Sequence, residues 1–202
     1  MRAPLTHKQR PSQRALGRAP GREQAEMISI RKERPPDVAA REVLLDEAFG
    51  NHRWRKSSQR LRDGRSPAEG LAFVATDGKR VIGTARLWNV MCGTGQSALL
   101  LGPVAVAADC RNRGVGAALV DHALAAARRR GYRAVVLVGD APYYSRFGFS
   151  TEKTAALRMP GPFECDRLLA LELEQGSLEG ARGLLRAPSK QMPKSGLAAS
   201  AA

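Results

Sequence analysis

Residues 99–131, LLLGPVAVAADCRNRGVGAALVDHALAAARRRG, decide how this chain folds. The first part belongs to an apolar run, Ala98 to Val106, broken only by Gly102-Pro103. That is the pattern of a strand buried on both faces and kinked or bulged at the proline, which cannot donate to a ladder. Further on, Val115, Leu119, Leu124 and Ala126 recur among alanines and predict a helix from about Gly114 to Arg130. Arg128 to Arg130 suit the negative end of its dipole, and Gly131 closes it. Ala134 to Val138 is a second buried strand, and a helical crossover makes two such strands parallel. Between the first strand and the helix lies RNRGVG, Arg111 to Gly116, whose two glycines could cradle phosphates or simply form a turn.

The flanking segments extend this unit in both directions. Ile28 to Arg31 alternates as a short strand does, and Pro35, Pro36 and Asp37 open a helix with Val38, Leu45, Ala48 and Phe49 expected on its apolar face, up to Gly50. A basic helix or loop follows, with Arg53, Arg55, Lys56, Arg60, Arg62 and Arg65 against Asp63 and Glu69. LAFVATDGKRVIGTARLWNV reads as two strands around Asp77-Gly78, a strong hairpin dipeptide. APYYSRFGF reads as a turn and short helix, and RLLALELEQ as a last alternating strand. The order is βα(α)βββαβαβ. The fold class is therefore α/β of the α+β type, with a mixed, mostly antiparallel sheet and a parallel pair at its centre.

Composition bounds the rest. A chain of 202 residues, 43% hydrophobic, suits one domain with tails. We expect a basic disordered extension at 1–26, a folded domain at 27–186 and a disordered tail at 187–202. The first segment carries six bases and two acids, so the net charge falls from +14 to +10 without it. No apolar run reaches the roughly 18 residues that span a bilayer, and no signal-type apolar block opens the chain, so a soluble, cytoplasmic protein is expected with no membrane partner. Cys92, Cys110 and Cys165 have neither CxxC spacing nor neighbouring histidines, which argues for buried or incidental thiols and no metal. The basic excess raises nucleic acid as a partner, but the chain lacks the aromatic platforms of a single-strand binder.

Three readings of the glycine loop compete: a structural turn, a dinucleotide site, and a site that also uses Arg111. Against the second, seven residues separate Val106 from Gly114, the third glycine position holds Leu119, and further βαβ units are missing. Gly93-Thr94-Gly95 precedes a strand and fits no phosphate loop. Arg111, Gly114 and Gly116 form RxxGxG; with the kinked strand before them and YxxxGF after the next strand, the chain resembles the GNAT superfamily of acyl-CoA-dependent N-acyltransferases. The likeness covers about Met27 to Arg186 and is most specific to a bacterial subgroup of predicted N-acetyltransferases.

The resemblance implies that the parallel pair splays to admit acetyl-CoA. Backbone groups of Val104, Ala105 and Val106 would then face the pantetheine arm and thioester. The loop of Arg111, Asn112, Arg113, Gly114, Val115, Gly116 and Ala117 would hold the pyrophosphate, at a helix N-terminus whose N–H groups are unpaired. Arg113 could add charge there or be a solvated side chain. By the YxxxGF spacing Tyr144 would be the proton donor to the departing thiolate, the alternative being a packed aromatic; Tyr143 would point elsewhere, and Phe147 and Phe149 read as core. Many members place a glutamate on the bulged strand as base, but Leu99 to Val106 holds no ionisable residue. The base is then elsewhere, a water chain, or absent. Asp140 could contact cofactor or acceptor, or cap the next turn. The Asn51–Arg65 stretch, with Trp54, would border the acceptor cleft if it is not a solvated face, and would suit an acidic acceptor. The implied activity is acetyl transfer to a primary amine of a small molecule or peptide by a monomer or homodimer. A non-catalytic acyl-CoA-binding module is the alternative, and RNA binding through the basic arm a distant third.

Overall fold

The computed structural model describes residues 28–93 and 95–189. The expected disordered 1–26 extension, Met27, most of the 187–202 tail and Thr94 lie outside the described residues.

One sheet organises the chain. Its strands are β1 (Ser29–Lys32), β2 (Ala72–Asp77), β3 (Arg80–Cys92), β4 (Gln96–Val106), β5 (Ala134–Val138), β6 (Leu157–Arg158), β7 (Leu168–Glu172) and β8 (Gly183–Arg186). The main order is β1-β2-β3-β4-β5-β7, with β8 pairing β3 and β6 at the side. Only β4–β5 in the main path is parallel, and the crossover between them is α3 (Val115–Arg129), as the apolar periods require. The Asp77↔Arg80 pair closes the hairpin, so its two loop residues are Gly78 and Lys79, one position beyond the expected Asp-Gly centre. The last expected strand, β7, is not last: β6, of two residues, and β8, whose GLLR does not alternate, are added.

Alternation along the strands fills both faces. Leu87, Leu99, Leu101, Val135 and Leu137 face a core shared with α3, whose Leu119, Val120, Ala123 and Ala127 are buried against them. Trp88, Val90, Leu100, Ala134 and Val136 face a second core under Leu61, Leu157, Met159 and Leu185. At about 25 cal/mol per Å² of apolar surface, such double coverage is what makes a continuous apolar run favourable in a strand.

α1 (Asp37–Phe49) corrects one expectation. Val38, placed on the apolar face by its spacing, is exposed, and so is Val43. Leu44 and Leu45 are buried, and Arg41 beside them is buried too. Charge explains the displacement: Arg41 and Arg86 both donate to Glu33 Oε1, at 2.8 and 3.2 Å. At the helix start, Asp37 accepts from Arg31 through both oxygens, at 2.6 and 2.8 Å, and from the Arg34 N–H at 2.7 Å. These bonds hold the Asp37 carboxyl down at about 2, the Arg31 contact being the largest cause. A depressed carboxylate contributes stability above its unfolded value near 3.9 and loses it as pH falls through its folded value. Asp37→Asn should therefore cost about 2 kcal/mol at neutral pH and almost nothing below pH 2, read from denaturant unfolding at both values.

Candidate active site

β4 and β5 run together for only two pairs, Leu99↔Val135 and Leu100↔Val136. Past them β4 stays with β3, through Ala85↔Val104, Thr84↔Ala105 and Gly83↔Val106. Meanwhile β5 stays with β7 through Leu137↔Leu169 and Val138↔Leu168. The cause is local. Two residues, Gly102 and Pro103, stand opposite the single Arg86, a bulge at the position where proline removes a ladder donor. Trp88 Nε1 donates to the Gly102 carbonyl at 2.6 Å and fixes the bulge from the side. Among the described residues, the backbone of Val104, Ala105 and Val106 therefore has a strand on one flank and none on the other.

The parting opens into a cavity of about 260 Å³. One wall is Leu100 to Val104; the other is Val138 to Asp140 with Tyr144. Tyr144 ends α4 (Ala141–Tyr144), whose first turn is capped by Asp140: Oδ2 accepts from the Tyr143 N–H at 3.2 Å. The capping alternative for Asp140 thus holds, and the same residue also lines the cavity, as the only carboxylate among the described residues that does.

Tyr144 lies on Gly139 so closely that a Cβ there would collide with its Cε2. Its ring makes edge contacts with Tyr143 and Phe149, centroids 5.0 and 5.9 Å away. Burial is the main cause that pushes its hydroxyl up to about 12, with Tyr143 and Asp140 adding to it. Phe149 is buried and Phe147 partly so, which matches their assignment to the core.

The glycine loop sits at the start of α3. Ala108–Cys110 forms a tight turn, followed by two left-handed residues, Asn112 (φ 61°) and Gly114 (φ 78°). α3 has no side-chain cap, and its first backbone bond is Ala118 N–H to the Gly114 carbonyl. The N–H groups of Asn112 to Ala117 find no backbone acceptor among the described residues. Unpaired donors at a positive helix end are what an anion requires. The two glycines differ in purpose. Gly114 supplies a backbone angle, and its Cβ position is open space. Gly116 supplies room, because a Cβ there would stand 3.1 Å from Tyr143 Oη and 3.5 Å from Val106 Cγ2. Tyr143 therefore does not merely point away: its hydroxyl abuts the loop. Arg113 leans back, with Cys110 Sγ at 3.7 Å and Asp77 at 4.0 Å, while Arg111 is exposed. Arg80 grips Asp109 through both oxygens, at 2.6 and 2.8 Å, tying the loop to the hairpin.

The basic stretch after α1 is split between solvent and cavity. Arg53, Lys56 and Arg62 line the cavity, together with Phe49, Gln59 and, from the β7 side, Arg167. Arg53 is paired with Glu42 and Asp46, at 2.6 and 2.7 Å. Lys56 lies over the Phe49 ring at 4.5 Å, its pKa lowered by burial and then by Arg167 and Arg62. Arg62, following α2 (Ser57–Arg60), is brought down to about 10, mainly by burial. Trp54 remains exposed and stacks under Arg53 at 4.0 Å. His122 packs edge-on against Phe73 of β2 and does not line the cavity. No cluster of three or more His, Cys, Asp or Glu suited to a metal occurs among the described residues, and no described helix is long and apolar enough to cross a membrane.

Comparisons with known proteins converge on one family. A family described as Acetyltransferase (GNAT) domain matches residues 68–151. The chain is 32% identical to the uncharacterised N-acetyltransferase YhbS of Escherichia coli over 158 residues, 77% of this chain and 93% of the relative. The crystal structure of that protein in complex with CoA superposes with a TM-score of 0.70 at 30% identity, covering 83% of this chain and 93% of the other. A GNAT family acetyltransferase from Brucella melitensis, solved with acetyl-CoA, gives a TM-score of 0.58 at 27% identity, covering 73% and 89%.

Proposed function

The chain belongs to the GNAT acetyltransferase family, and on that premise we propose that it transfers an acetyl group from acetyl-CoA to a primary amine by direct attack. The observation that carries the reading is the parting of β4 from β5 beyond Leu100 and Val136, with Tyr144 set in the far wall of the gap. An extended pantetheine arm would lie along Val104 to Val106 as a strand would, and the N–H groups from Asn112 to Ala117 would take its pyrophosphate.

The chain's own groups then divide the work. A backbone N–H on the free flank of Val104 to Val106 polarises the thioester carbonyl, as an oxyanion hole does. The acceptor nitrogen bonds to the carbonyl carbon, the carbon–sulfur bond breaks, and the thiolate takes a proton while the new amide sheds one. Tyr144 is the donor within the cavity. Its hydroxyl, held near 12, is fully protonated at neutral pH. The surroundings that raise it penalise a thiolate in the same way, which brings the two proton affinities closer.

Deprotonating an amine of pKa about 10.4 costs roughly 4 to 5 kcal/mol at pH 7. β4 offers no base, but the cationic lining lowers that cost, because Lys56, Arg62 and Arg167 disfavour a further positive charge beside them. Asp140 is the group that can accept the proton, directly or through water. The expected pH profile of kcat/KM rises tenfold per unit below the acceptor's pKa, then levels, with no fall from Tyr144 up to pH 10.

Thiol release from acetyl-CoA with a panel of amines tests the reading. The absence of an ionisable residue on Leu99 to Val106 favours the alternative of a non-catalytic acyl-CoA-binding module. That alternative gains if acetyl-CoA raises the melting temperature while no amine yields thiol.

A further inference from the structure

Arg62 is out of place for an arginine on a short surface segment. It is 8% exposed, its Nε has no hydrogen-bond partner, and its side-chain bond is a 3.3 Å contact from Nη2 to Ser58 Oγ. No carboxylate lies within ion-pair distance of Arg62 or Lys56 among the described residues, although the neighbouring Arg53 has two. Buried charges are ordinarily paired, since desolvating one alone costs several kcal/mol. The cavity that these two cations line is the one between the β4 bulge and Tyr144. No residue from Arg111 to Ala117 lines it, so the cations are set apart from the pyrophosphate loop.

Resting on the acetyl-transfer reading, we infer that the acceptor is a small amine carrying a carboxylate, which seats on Arg62 and Lys56 in the cavity that Asp140 also lines. The planar guanidinium of Arg62, lining the cavity without a carboxylate partner among the described residues, has the fork geometry that a carboxylate pairs with bidentately. Lys56 adds a point charge. The apolar wall of Leu100 and Leu101 suits the aliphatic body of a small acceptor beside the thioester, in a cavity of about 260 Å³ that the end of the donor would share. Asp140 and Tyr144 receive the amine end.

The test is initial-rate acetylation of matched acceptors by the full chain: amino acids, their amides, the corresponding amines without the carboxyl group, and aminoalkyl phosphates. We expect the amino acids to exceed their amides by about 10²-fold in kcat/KM, and Arg62→Gln to erase that preference through KM while acetyl-CoA still raises the melting temperature. Lys56→Gln, at an exposed position, should weaken the same preference and serves if Arg62→Gln does not fold. Amides or plain amines acetylated as well as amino acids, or a preference for the phosphates, would overturn the assignment. If no amine releases thiol, it is the acetyl-transfer reading that fails. The anion seat is then judged by melting temperature: amino acids should stabilise the acetyl-CoA-loaded wild type and not Arg62→Gln, and equal stabilisation by the amides sinks it.

Discussion

Tyr144→Phe lowers turnover by about 10²- to 10⁴-fold and leaves acetyl-CoA affinity unchanged, the expected result if the hydroxyl supplies the proton to the leaving thiolate. The substitution is clean on physical grounds. The ring is held by Gly139, Tyr143 and Phe149 through its faces and edges, and none of those contacts uses the oxygen. No described residue accepts a hydrogen bond from the hydroxyl, so its loss leaves no orphaned partner. Single-turnover thiol release and calorimetric binding of acetyl-CoA make the measurement. A packed aromatic would give full turnover in Phe, and that outcome removes Tyr144 from the chemistry.

Gly114→Val is expected to abolish acetyl-CoA binding, a loss of 10²-fold or more in affinity, while the unliganded protein keeps its fold. At φ 78° a β-branched residue is strained by about 1 to 3 kcal/mol. No atom of the described residues lies within 4 Å of the Cβ position at Gly114, so the strain is relieved by moving the loop, which redirects the N–H groups from Asn112 to Ala117. Gly114→Ala, with the same angle and a smaller side chain, should lie between. Far-ultraviolet circular dichroism and the unliganded melting temperature separate this outcome from unfolding. Binding retained in Gly114→Val would mean that the phosphates are held elsewhere.

The long elements were legible in sequence because their burial is uniform. Leu99 to Leu101 and Ala134 to Leu137 meet apolar neighbours on both faces, so the runs are continuous; the alanine-rich α3 follows from its period. What escaped reading is what depends on direction rather than period. In α1 Arg41 is buried in an ion network with Glu33 and Arg86, which no apolar count reveals, and Val38 turns outward. In the basic stretch every cation scores alike in a charge run; only the fold distinguishes Arg62, turned inward, from Arg60, exposed on the same short turn. Tyr143 and Tyr144 sit in a four-residue helix, too short for a period, and it was the YxxxGF likeness that singled out Tyr144, which does line the cavity; Gly139 gains its meaning only from the ring above it. For Gly139, its place between an apolar strand and Asp140 was the signal available.

The gap between β4 and β5 has a consequence for the protein's endurance as well as its chemistry. Six residues of a central strand, Leu101 to Val106, are left with one open flank. On the proposed reading the donor closes that ladder, so the resting enzyme is an unfinished sheet and the loaded one a finished sheet. A ligand at a hundred times its Kd adds about 2.7 kcal/mol to folding stability. How long a copy of this chain survives proteolysis would then follow the supply of acetyl-CoA, and a cell short of acyl groups would hold less of the enzyme that spends them.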